Sequence, residues 1–260
     1  MSNNSDAEQK DRELFNRIAL NYSKKDIYSV SRSVRKFQID TALNLLNKHT
    51  KAQHFENVLE LGCGTGANSQ YLKQYYKNYL GVDYSEELIR IADSLYSDDS
   101  TRFEKSDILS FNTKVKYDLI ILVGVLHHLT ELENNLKHIL KTAHNKTYFI
   151  FLEPQGKNPL IQLMRVIRKA VDPSYSKTQM FFHRKELISL LESAGYKILE
   201  AEYTGYFSPP FAQVIMKPEF IFYPVAKVCI TIDRFIQKYC PNSLSWNLTV
   251  IAEKRSEQLI

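Results

Sequence analysis

Residues 58–66 combine an acid with three glycines at the end of a short apolar segment, V-L-E-L-G-C-G-T-G. A chain that turns sharply from a strand into a helix, with its backbone close to a ligand, needs positions that lack Cβ and reach positive φ. Gly62, Gly64 and Gly66 meet that need. Free N–H groups at such a turn often bind phosphate, but a carboxylate at Glu60 suits a cationic group better. The pattern therefore predicts a ligand site at this turn.

The same glycines are also compatible with a dinucleotide site. Gly62, Gly64 and Ala67 match the G-x-G-x-x-A pattern, which is followed roughly 20 residues later by an acid that binds a ribose. Asp83 lies at about that distance. The glycines alone therefore do not distinguish a site for a nicotinamide dinucleotide from a site for another nucleoside. The segments that follow decide between these two ligands.

Two further predicted strands end in residues that can bind a nucleoside. The segment Y-L-G-V-D-Y-S ends a strand at Asp83, whose two carboxylate oxygens can accept from both hydroxyls of one ribose. The alternating segment T-R-F-E-K-S-D-I-L leaves Ser106, Asp107 and Ile108 at its end, where an acid can accept from an adenine amino group and a branched side chain can cover the ring. Two simpler interpretations stay open: Asp83 caps the helix that starts near Ser85, and Asp107 is a turn residue.

A nearly continuous apolar run at 117–129, Y-D-L-I-I-L-V-G-V-L-H-H-L, is typical of a strand buried on both faces. It leads directly to two histidines. His127, His128 and Glu153, which ends the next predicted strand, are the candidates for a general base. Glu153 also has a structural interpretation, as a carboxylate that caps the loop ending at Pro159.

The four motifs E-L-G-C-G-T-G, V-D-Y-S, S-D-I and V-L-H-H-L, in this order, resemble the class I S-adenosylmethionine-dependent methyltransferases. They are most similar to the small-molecule branch that includes ubiquinone and menaquinone biosynthesis methyltransferases, and the resemblance covers residues 55–153. It implies S-adenosylmethionine as the cofactor. Gly62 and Gly64 would then lie beside its methionine part, Glu60 near its charged amino group, and Asp83 on its ribose hydroxyls.

The resemblance also implies residues around the adenine and above the cofactor. Tyr84 would lie against the adenine ring, with Asp107 at its edge. The segment 15–22, F-N-R-I-A-L-N-Y, resembles a family motif that often places an aromatic residue over the cofactor, so Tyr22 is a candidate lid residue; packing between two helices is the alternative. A histidine pair such as 127 and 128 often has a structural role in the family. The predicted cofactor-binding residues are Tyr22, Glu60, Gly62, Cys63, Gly64, Asp83, Tyr84, Ser106, Asp107, Ile108 and Val123.

The elements that hold these residues alternate between strand and helix along the chain. This alternation predicts an α/β fold with a doubly wound, mostly parallel seven-stranded sheet, and a ligand beyond the carboxyl ends of the strands. Two helices are predicted to precede the sheet, at 9–21 and 29–48. Further helices are predicted at 67–77, 85–96, 131–142 and 183–194, the last stopped by Gly195, and further strands at 146–153, 197–203 and 246–253.

The predicted organisation is an N-terminal helical cover at 1–50, a cofactor-binding core at 51–204 and 245–260, and a helical insertion at 205–244 near the substrate side. The insertion is too long for a plain connection between two strands. It is rich in aromatic and branched residues, and breaks such as Pro224 exclude a transmembrane helix. Three interpretations stay open: a roof over the substrate pocket, a face for homodimer formation, or shallow contact with a membrane surface.

Composition and charge narrow the class of protein. The chain has 260 residues and a formal net charge of +5, and 24% of its residues are charged, which does not indicate a nucleic-acid binder. Cys63, Cys229 and Cys240 show neither paired spacing nor a metal-binding cluster, so no metal is expected. The N-terminus lacks the apolar stretch of a secretory signal, which predicts a cytoplasmic location, with contact to the membrane periphery left open. A basic segment at 157–185 could attract an anionic substrate, and the alternative is an ordinary amphipathic helix packed on the core with a solvated basic face.

The predicted function is transfer of a methyl group from S-adenosylmethionine to an oxygen of a small-molecule or lipid-linked acceptor. Methyl transfer is an in-line displacement, so alignment of the reacting atoms supplies most of the acceleration and a base is optional. The first alternative is a C-methyltransferase that acts on a quinone or sterol-like ring. An NAD-dependent oxidoreductase is disfavoured by Glu60 and Asp107, and a non-catalytic nucleoside-binding protein by the retention of every cofactor motif.

Overall fold

A seven-stranded sheet organises the chain in this computed structural model. The structure describes residues 2–163, 166, 181–213, 215–237 and 239–255, without the side chains of 2–12, 21 and 22. The strands are β1 (Phe55–Leu61), β2 (Tyr76–Asp83), β3 (Thr101–Lys105), β4 (Tyr117–Val123), β5 (Ala143–Pro154), β6 (Tyr196–Thr204) and β7 (Asn247–Lys254). Their order in the sheet is β3-β2-β1-β4-β5-β7-β6. β7 runs antiparallel to both its neighbours, and the other neighbouring strands are parallel.

Helices precede the sheet and connect its strands. The α-helices include α1 (Ser2–Ile27), α2 (Ser29–Leu46), α3 (Asn68–Leu72), α4 (Glu86–Tyr96), α5 (Leu132–Ile139), α6 (Arg184–Ala194), α7 (Pro210–Gln213) and α8 (Glu219–Ile236). Short 3-10 turns lie at Lys73–Tyr75, Leu126–His128, Leu140–Thr142 and Asn242–Leu244. The predicted fold class is confirmed, while the division of the chain at residues 50, 204 and 245 stays a prediction.

The strand β4 shows why the sheet needs helices on both faces. Leu119 and Ile121 pack in one apolar cluster with α2 and α3, and Ile120 and Leu122 pack in another with α5 and α6. All four side chains are almost completely buried. Successive side chains of a strand point to opposite faces, so the unbroken apolar run read from the sequence is what a strand between two helical layers requires.

Local sequence signals placed one helix end incorrectly and another correctly. The helix predicted at 67–77 is shorter: α3 ends at Leu72, a 3-10 turn follows, and β2 begins at Tyr76. The reason is that Tyr76 is buried and its hydroxyl lies 2.8 Å from Oγ1 of Thr101, which commits residue 76 to the sheet. At α6 the prediction is confirmed, since Gly195 ends the helix in the left-handed conformation, with φ of 105°.

The segment between β6 and β7 forms α7 and α8. Pro224, predicted to break the segment, lies inside α8 instead. It stands in the second turn, so it interrupts only the start of the helix's hydrogen-bond ladder. None of the described helices combines the length and the apolarity needed to cross a membrane. The inner face of α8 packs on α2, through Ala226 and Ile230 against Val30, Val34 and Phe37.

Candidate functional site

The turn after β1 places backbone, not side chains, at the carboxyl end of the sheet. Gly62, Gly64 and Gly66 have φ values of 71°, 55° and 77°. A Cβ at Gly62 would lie 2.4 Å from a methyl carbon of Val125, so a larger residue does not fit there. The N–H groups of Gly62 and Cys63 both donate to the carbonyl of Val82, at 2.7 and 3.0 Å. The turn is thus fixed to β2, and its glycines line the site without side chains that would fill it.

Glu60 is buried beneath this turn and is held by two side-chain donors. Nδ2 of Asn68 donates to Oε1 at 2.6 Å, and the hydroxyl of Tyr79 donates to Oε2. The side chain is only 1% exposed. Burial raises the pKa of Glu60 to about 7, and the nearby charge of Asp83 acts in the same direction. The residue predicted to lie near a charged amino group therefore exchanges its proton close to neutral pH.

Asp83 ends β2 and joins two segments of the site. Its Oδ2 accepts from the N–H of Gly64 at 2.9 Å, and its Oδ1 accepts from the N–H of Ser85 at 2.9 Å. The helix cap itself is Ser85, whose hydroxyl accepts from the N–H of Leu88. Burial raises the pKa of Asp83, and the two backbone donors oppose that shift. Each carboxylate oxygen keeps capacity for a further donor.

The turn after β3 contributes Ser106, Asp107 and Ile108. The N–H of Ser106 donates to the carbonyl of Asp83 at 3.0 Å, which brings the ends of β2 and β3 together. Oδ1 of Asp107 accepts from the N–H of Leu109 at 2.9 Å, so this acid is a turn residue as well as part of the site wall. Ile108 is almost buried and belongs to the main apolar cluster.

One cavity of about 460 Å³ connects these segments. Its volume is within the range typical of small-molecule sites. Its wall contains ten of the predicted cofactor-binding residues, namely Glu60, Gly62, Cys63, Gly64, Asp83, Tyr84, Ser106, Asp107, Ile108 and Val123. Tyr22 lies in α1, but its side chain is outside the described part of the structure. Contact of these residues with a cofactor stays a prediction.

The three predicted base candidates occupy different positions. His127 and His128 line the cavity, with their ring centroids 4.1 Å apart. Glu153 lies behind them and is completely buried. Its Oε1 accepts from the N–H groups of Val125 and Leu126 at 2.9 and 2.8 Å, and its Oε2 lies 2.7 Å from Nδ1 of His127. Glu153 is therefore in a position to hold the loop after β4, and the loop it fixes is this one and not the loop ending at Pro159.

Sequence reasoning missed the residues by which α1 closes the cavity. Phe15 lies in the wall, and its ring contacts Tyr84 and His128 at centroid distances of 6.1 and 5.4 Å. Oδ1 of Asn16 accepts from the hydroxyl of Ser85 at 2.7 Å, which attaches α1 to the start of α4. The 15–22 motif carried the signal for an aromatic wall residue, and Phe15 is one, while the prediction for Tyr22 stays a prediction.

A buried carboxylate at the end of α1 ties the two N-terminal helices to the glycine turn. Asp26 is 1% exposed and accepts a short hydrogen bond from the hydroxyl of Thr65. Its other oxygen lies 2.8 Å from a guanidinium nitrogen of Arg35 on α2. A single acid after Lys24 and Lys25 carries no sequence signal of this role, because it depends on three segments that meet only in the fold.

The end of the cavity away from the glycine turn is mostly apolar. Its wall there contains Leu129, Leu152, Pro154, Ile161, Phe181, Ala212 and Trp246. Asn247, the first residue of β7, also lines it and is 8% exposed. Among the described side chains, Nδ2 of Asn247 is one of a few buried polar atoms without a hydrogen-bond partner. An unpaired buried amide is costly, and because Nδ2 itself is not open to the cavity, it would meet a ligand only after the side chain turns toward the cavity.

Comparison with known proteins identifies the family of this chain. Residues 19–201 match the model of a family described as a methyltransferase domain. The match covers more than half of the chain, so the chain belongs to this family. The predicted class, S-adenosylmethionine-dependent methyltransferase of class I, is confirmed, and so is S-adenosylmethionine as its cofactor.

Particular relatives are more distant. Malonyl-[acyl-carrier protein] O-methyltransferase 2 of Ilyobacter polytropus is 28% identical over 149 residues, which cover 56% of this chain and 56% of the relative. Juvenile hormone acid O-methyltransferase of Bombyx mori is 27% identical over 155 residues, or 55% of this chain and 54% of the relative. The chain spans about half the length of the curated relatives it matches.

Solved structures show the same fold at low identity. Magnesium protoporphyrin IX methyltransferase from Synechocystis, solved with bound S-adenosylhomocysteine, superimposes with a TM-score of 0.63 at 15% identity, over 96% of this chain and 100% of that chain. A Haloferax volcanii methyltransferase complex with its Trm112 activator gives a TM-score of 0.65 at 12% identity, over 96% and 99% of the two chains. At such identities the likeness establishes the fold alone.

The cavity wall fits S-adenosylmethionine on its own chemistry. A turn with three glycines at positive φ leaves room for the methionine part, and Asp83 offers acceptor capacity for ribose hydroxyls. Ile108 supplies an apolar surface beside Asp107, as an adenine ring requires. Glu60 supplies a carboxylate at the end that would hold a charged amino group.

Proposed function

We propose that the protein transfers a methyl group from S-adenosylmethionine to a carboxylate oxygen of an apolar small-molecule or lipid-linked acid. The product of this transfer is a methyl ester. The single observation that carries the proposal is the continuity of one cavity, from the glycine turn to an apolar end that contains the unpaired amide of Asn247.

The apolar end of the cavity supports an acceptor that has an apolar chain or ring system. Leu152 and Trp246 offer surface that an aliphatic chain or ring system would cover, and burying such surface contributes roughly 25 cal/mol per Å². A hydrogen-bond donor among these apolar residues suits a carboxylate oxygen of the acceptor. A hydrogen bond to a charged carboxylate is about twice as strong as one between neutral groups. Asn247 lines this end, and its Nδ2 is such a donor once its amide turns toward the cavity.

The hydrogen bonds of Glu153, one of the three base candidates, are consistent with a carboxylate as the attacking group. Glu153 is already bonded to two backbone N–H groups and lies against His127, which suits it to hold the loop rather than to accept a proton. A carboxylic acid has an ordinary pKa near 4, so it attacks as the anion at neutral pH and has no proton to lose. A hydroxyl or a carbon acid would need the base that an acid does not.

The names of the relatives agree with this chemistry. One is an O-methyltransferase of malonyl-[acyl-carrier protein] and another of juvenile hormone acid. These names describe the relatives and not this chain. For this chain, the likeness to them adds support to the chemistry of its own cavity.

The chain contributes to the reaction by positioning the two reactants and by excluding water from the cavity. S-adenosylmethionine supplies an electrophilic methyl carbon on a positively charged sulfur. Phe15 and the other α1 residues close the cavity above it, and Asn247 orients the acceptor oxygen from the opposite end. Fixing two reactants in line contributes roughly 7 to 11 kcal/mol to such a reaction.

Purified protein and methyl-labelled S-adenosylmethionine test the proposal with matched pairs of acceptors. Each pair consists of an apolar carboxylic acid and the alcohol of the same carbon skeleton. The proposal predicts label transfer to acids, as a product that mild alkali converts back to acid and methanol. Transfer to the alcohols with none to the acids would overturn it.

A further inference from the structure

The helix α8 carries two apolar faces, of which one is covered. Its inner face packs on α2 through Ala226 and Ile230. Its other face exposes Ile221, Val225, Val228, Ile232 and Phe235, which follow one another at intervals of four and three residues. Residues at such intervals lie on one side of a helix. We call these five residues the outer stripe.

The outer stripe is unusually exposed for its composition. Val228 is 58% exposed and Phe235 is 72% exposed. Aromatic residues extend the surface beyond the stripe, since Phe220 is 78% exposed and Tyr239, in the turn after α8, is 85% exposed. A continuous exposed apolar surface of this kind marks a binding site for a protein or a membrane.

Around the outer stripe, exposed cations outnumber exposed acids. The two acids of α8 are both bonded to their own chain: Glu219 accepts from the N–H of Ser29, and Asp233 is buried and accepts from the N–H groups of Phe207 and Ser208. The cations of the same segment are exposed, and among them are Lys227 and Arg234. Within the described residues 215–237, the surface is therefore apolar and positively charged.

We propose that the outer stripe docks α8 onto an anionic membrane surface, with Lys227 near the lipid head groups; the guanidinium of Arg234 lies 5.5 Å from the ring of Phe37 on α2 and stays on the inner side. An apolar face with cations beside it is the pattern of helices that lie in the plane of a membrane interface. Each cation near an anionic surface contributes about 1 kcal/mol, a fivefold change in binding. Exposed aromatic residues such as Phe235 and Tyr239 are the kind that sit at this boundary.

A second copy of the chain is the competing occupant, and the charges disfavour it. A twofold interface brings the same patch of both copies together. The exposed cations of one α8 would then approach those of the other, and few acids are available to oppose them, since Asp233 is buried and Glu219 is held against Ser29. An anionic membrane supplies the missing opposite charge.

The position of the outer stripe is also suited to an apolar acceptor. The short helix α7 precedes α8 in the same segment, and Ala212 of α7 both lines the cavity and packs in the cluster under α8. Docking would thus place the cavity wall near the phase in which lipid-linked molecules dissolve. Binding to the membrane does not depend on the proposed function and is measured without any reaction.

Sedimentation with lipid vesicles tests the proposal. The wild-type protein is mixed with vesicles of phosphatidylcholine alone and with vesicles that contain added phosphatidylglycerol, and the pelleted fraction is measured. We expect binding to the anionic vesicles, weakened by salt. The double variant Val228→Gln/Phe235→Gln should lower the partition coefficient about tenfold or more. Lys227→Gln should lower it about fivefold on anionic vesicles and little on neutral ones.

A matched double variant controls for the loss of exposed apolar residues in general. Leu20→Gln/Leu95→Gln replaces residues of α1 and α4 that are 65% and 50% exposed, and it should bind like the wild type. Stabilisation by S-adenosylhomocysteine in each variant confirms folding. Unchanged pelleting of the Val228→Gln/Phe235→Gln variant would overturn the proposal. So would a wild-type dimer that this variant dissociates, with no pelleting of the wild type, which would assign the stripe to a second copy.

Discussion

Oε2 of Glu153 lies 2.7 Å from Nδ1 of His127, and this pair joins the end of β5 to the turn after β4. The other oxygen of Glu153 accepts from the N–H groups of Val125 and Leu126. The same carboxylate thus orients a cavity histidine and fixes the backbone beside it. Glu153 is therefore a positioning residue. Its replacement by Ala and by Gln separates positioning from proton transfer.

Replacement of Glu153 should reveal that role. Glu153→Ala leaves two buried N–H groups without an acceptor, so we expect the free energy of unfolding to fall by about 2 to 4 kcal/mol and methyl transfer to fall with it. Glu153→Gln keeps an acceptor oxygen and should recover most of both. Urea unfolding and initial rates measure the two effects. A Gln variant as inactive as the Ala variant, yet as stable as the wild type, would instead make Glu153 the base.

Asp83→Ala should strongly weaken stabilisation by the cofactor product. The variant loses the carboxylate that holds Gly64 and Ser85 and that is predicted to accept from the ribose hydroxyls. A bond to a charged group is worth about 1.5 to 3 kcal/mol, so affinity for S-adenosylhomocysteine should fall about 10- to 100-fold. Melting temperature with and without S-adenosylhomocysteine measures this. Asp99→Ala, at an exposed acid, is the control, and unchanged affinity in Asp83→Ala would refute the ribose assignment.

The buried acid Glu60 should make stability depend on pH. Its folded pKa of about 7 lies above its ordinary value of 4.5. The stabilisation from its proton is therefore complete below about pH 4.5 and is lost as pH rises through about 7, on the order of 3 kcal/mol in total. Urea unfolding of Glu60→Gln between about pH 5 and 8 should show a flatter profile than the wild type.

A second acid on the same strand serves as the control for that profile. Glu56 is exposed and pairs with Lys77 at the surface. Glu56→Gln should keep the wild-type decline with rising pH. An identical decline in Glu60→Gln would mean that the pH dependence comes from another group.

Asn247→Leu should separate stability from turnover. The change removes an unpaired buried amide, so the free energy of unfolding should stay the same or rise, by up to about 1 to 3 kcal/mol. The acceptor loses its donor, so kcat/KM for the acid should fall about tenfold or more, while affinity for S-adenosylhomocysteine is unchanged. A variant that loses stability and turnover together would show that Asn247 is structural.

The sequence was informative where function depends on strand ends. The motifs at Glu60, Asp83 and Asp107 predicted one edge of a parallel sheet, because such strands end on the same side, and the structure places all three in one cavity wall. Local rules also located the end of α6 at Gly195.

The remaining parts of the site depend on contacts between distant segments. Asp26 meets Thr65 and Arg35 only after α1 and α2 have packed, and its neighbours in the sequence give no sign of it. Asn247 looks like an ordinary first residue of a strand, and its missing partner is visible only in the packed structure. The outer stripe had an apolar signal, but only the fold shows which face of α8 is covered.

The most direct measurement is the fate of the methyl group from labelled S-adenosylmethionine in a host lipid extract incubated with the protein. We expect label in the organic-soluble fraction, released as methanol by mild alkali, with transfer by Asp83→Ala reduced about tenfold or more at limiting S-adenosylmethionine. Label that survives alkali would place the methyl group on carbon, nitrogen or a hydroxyl oxygen. That result would contradict esterification of an apolar acid.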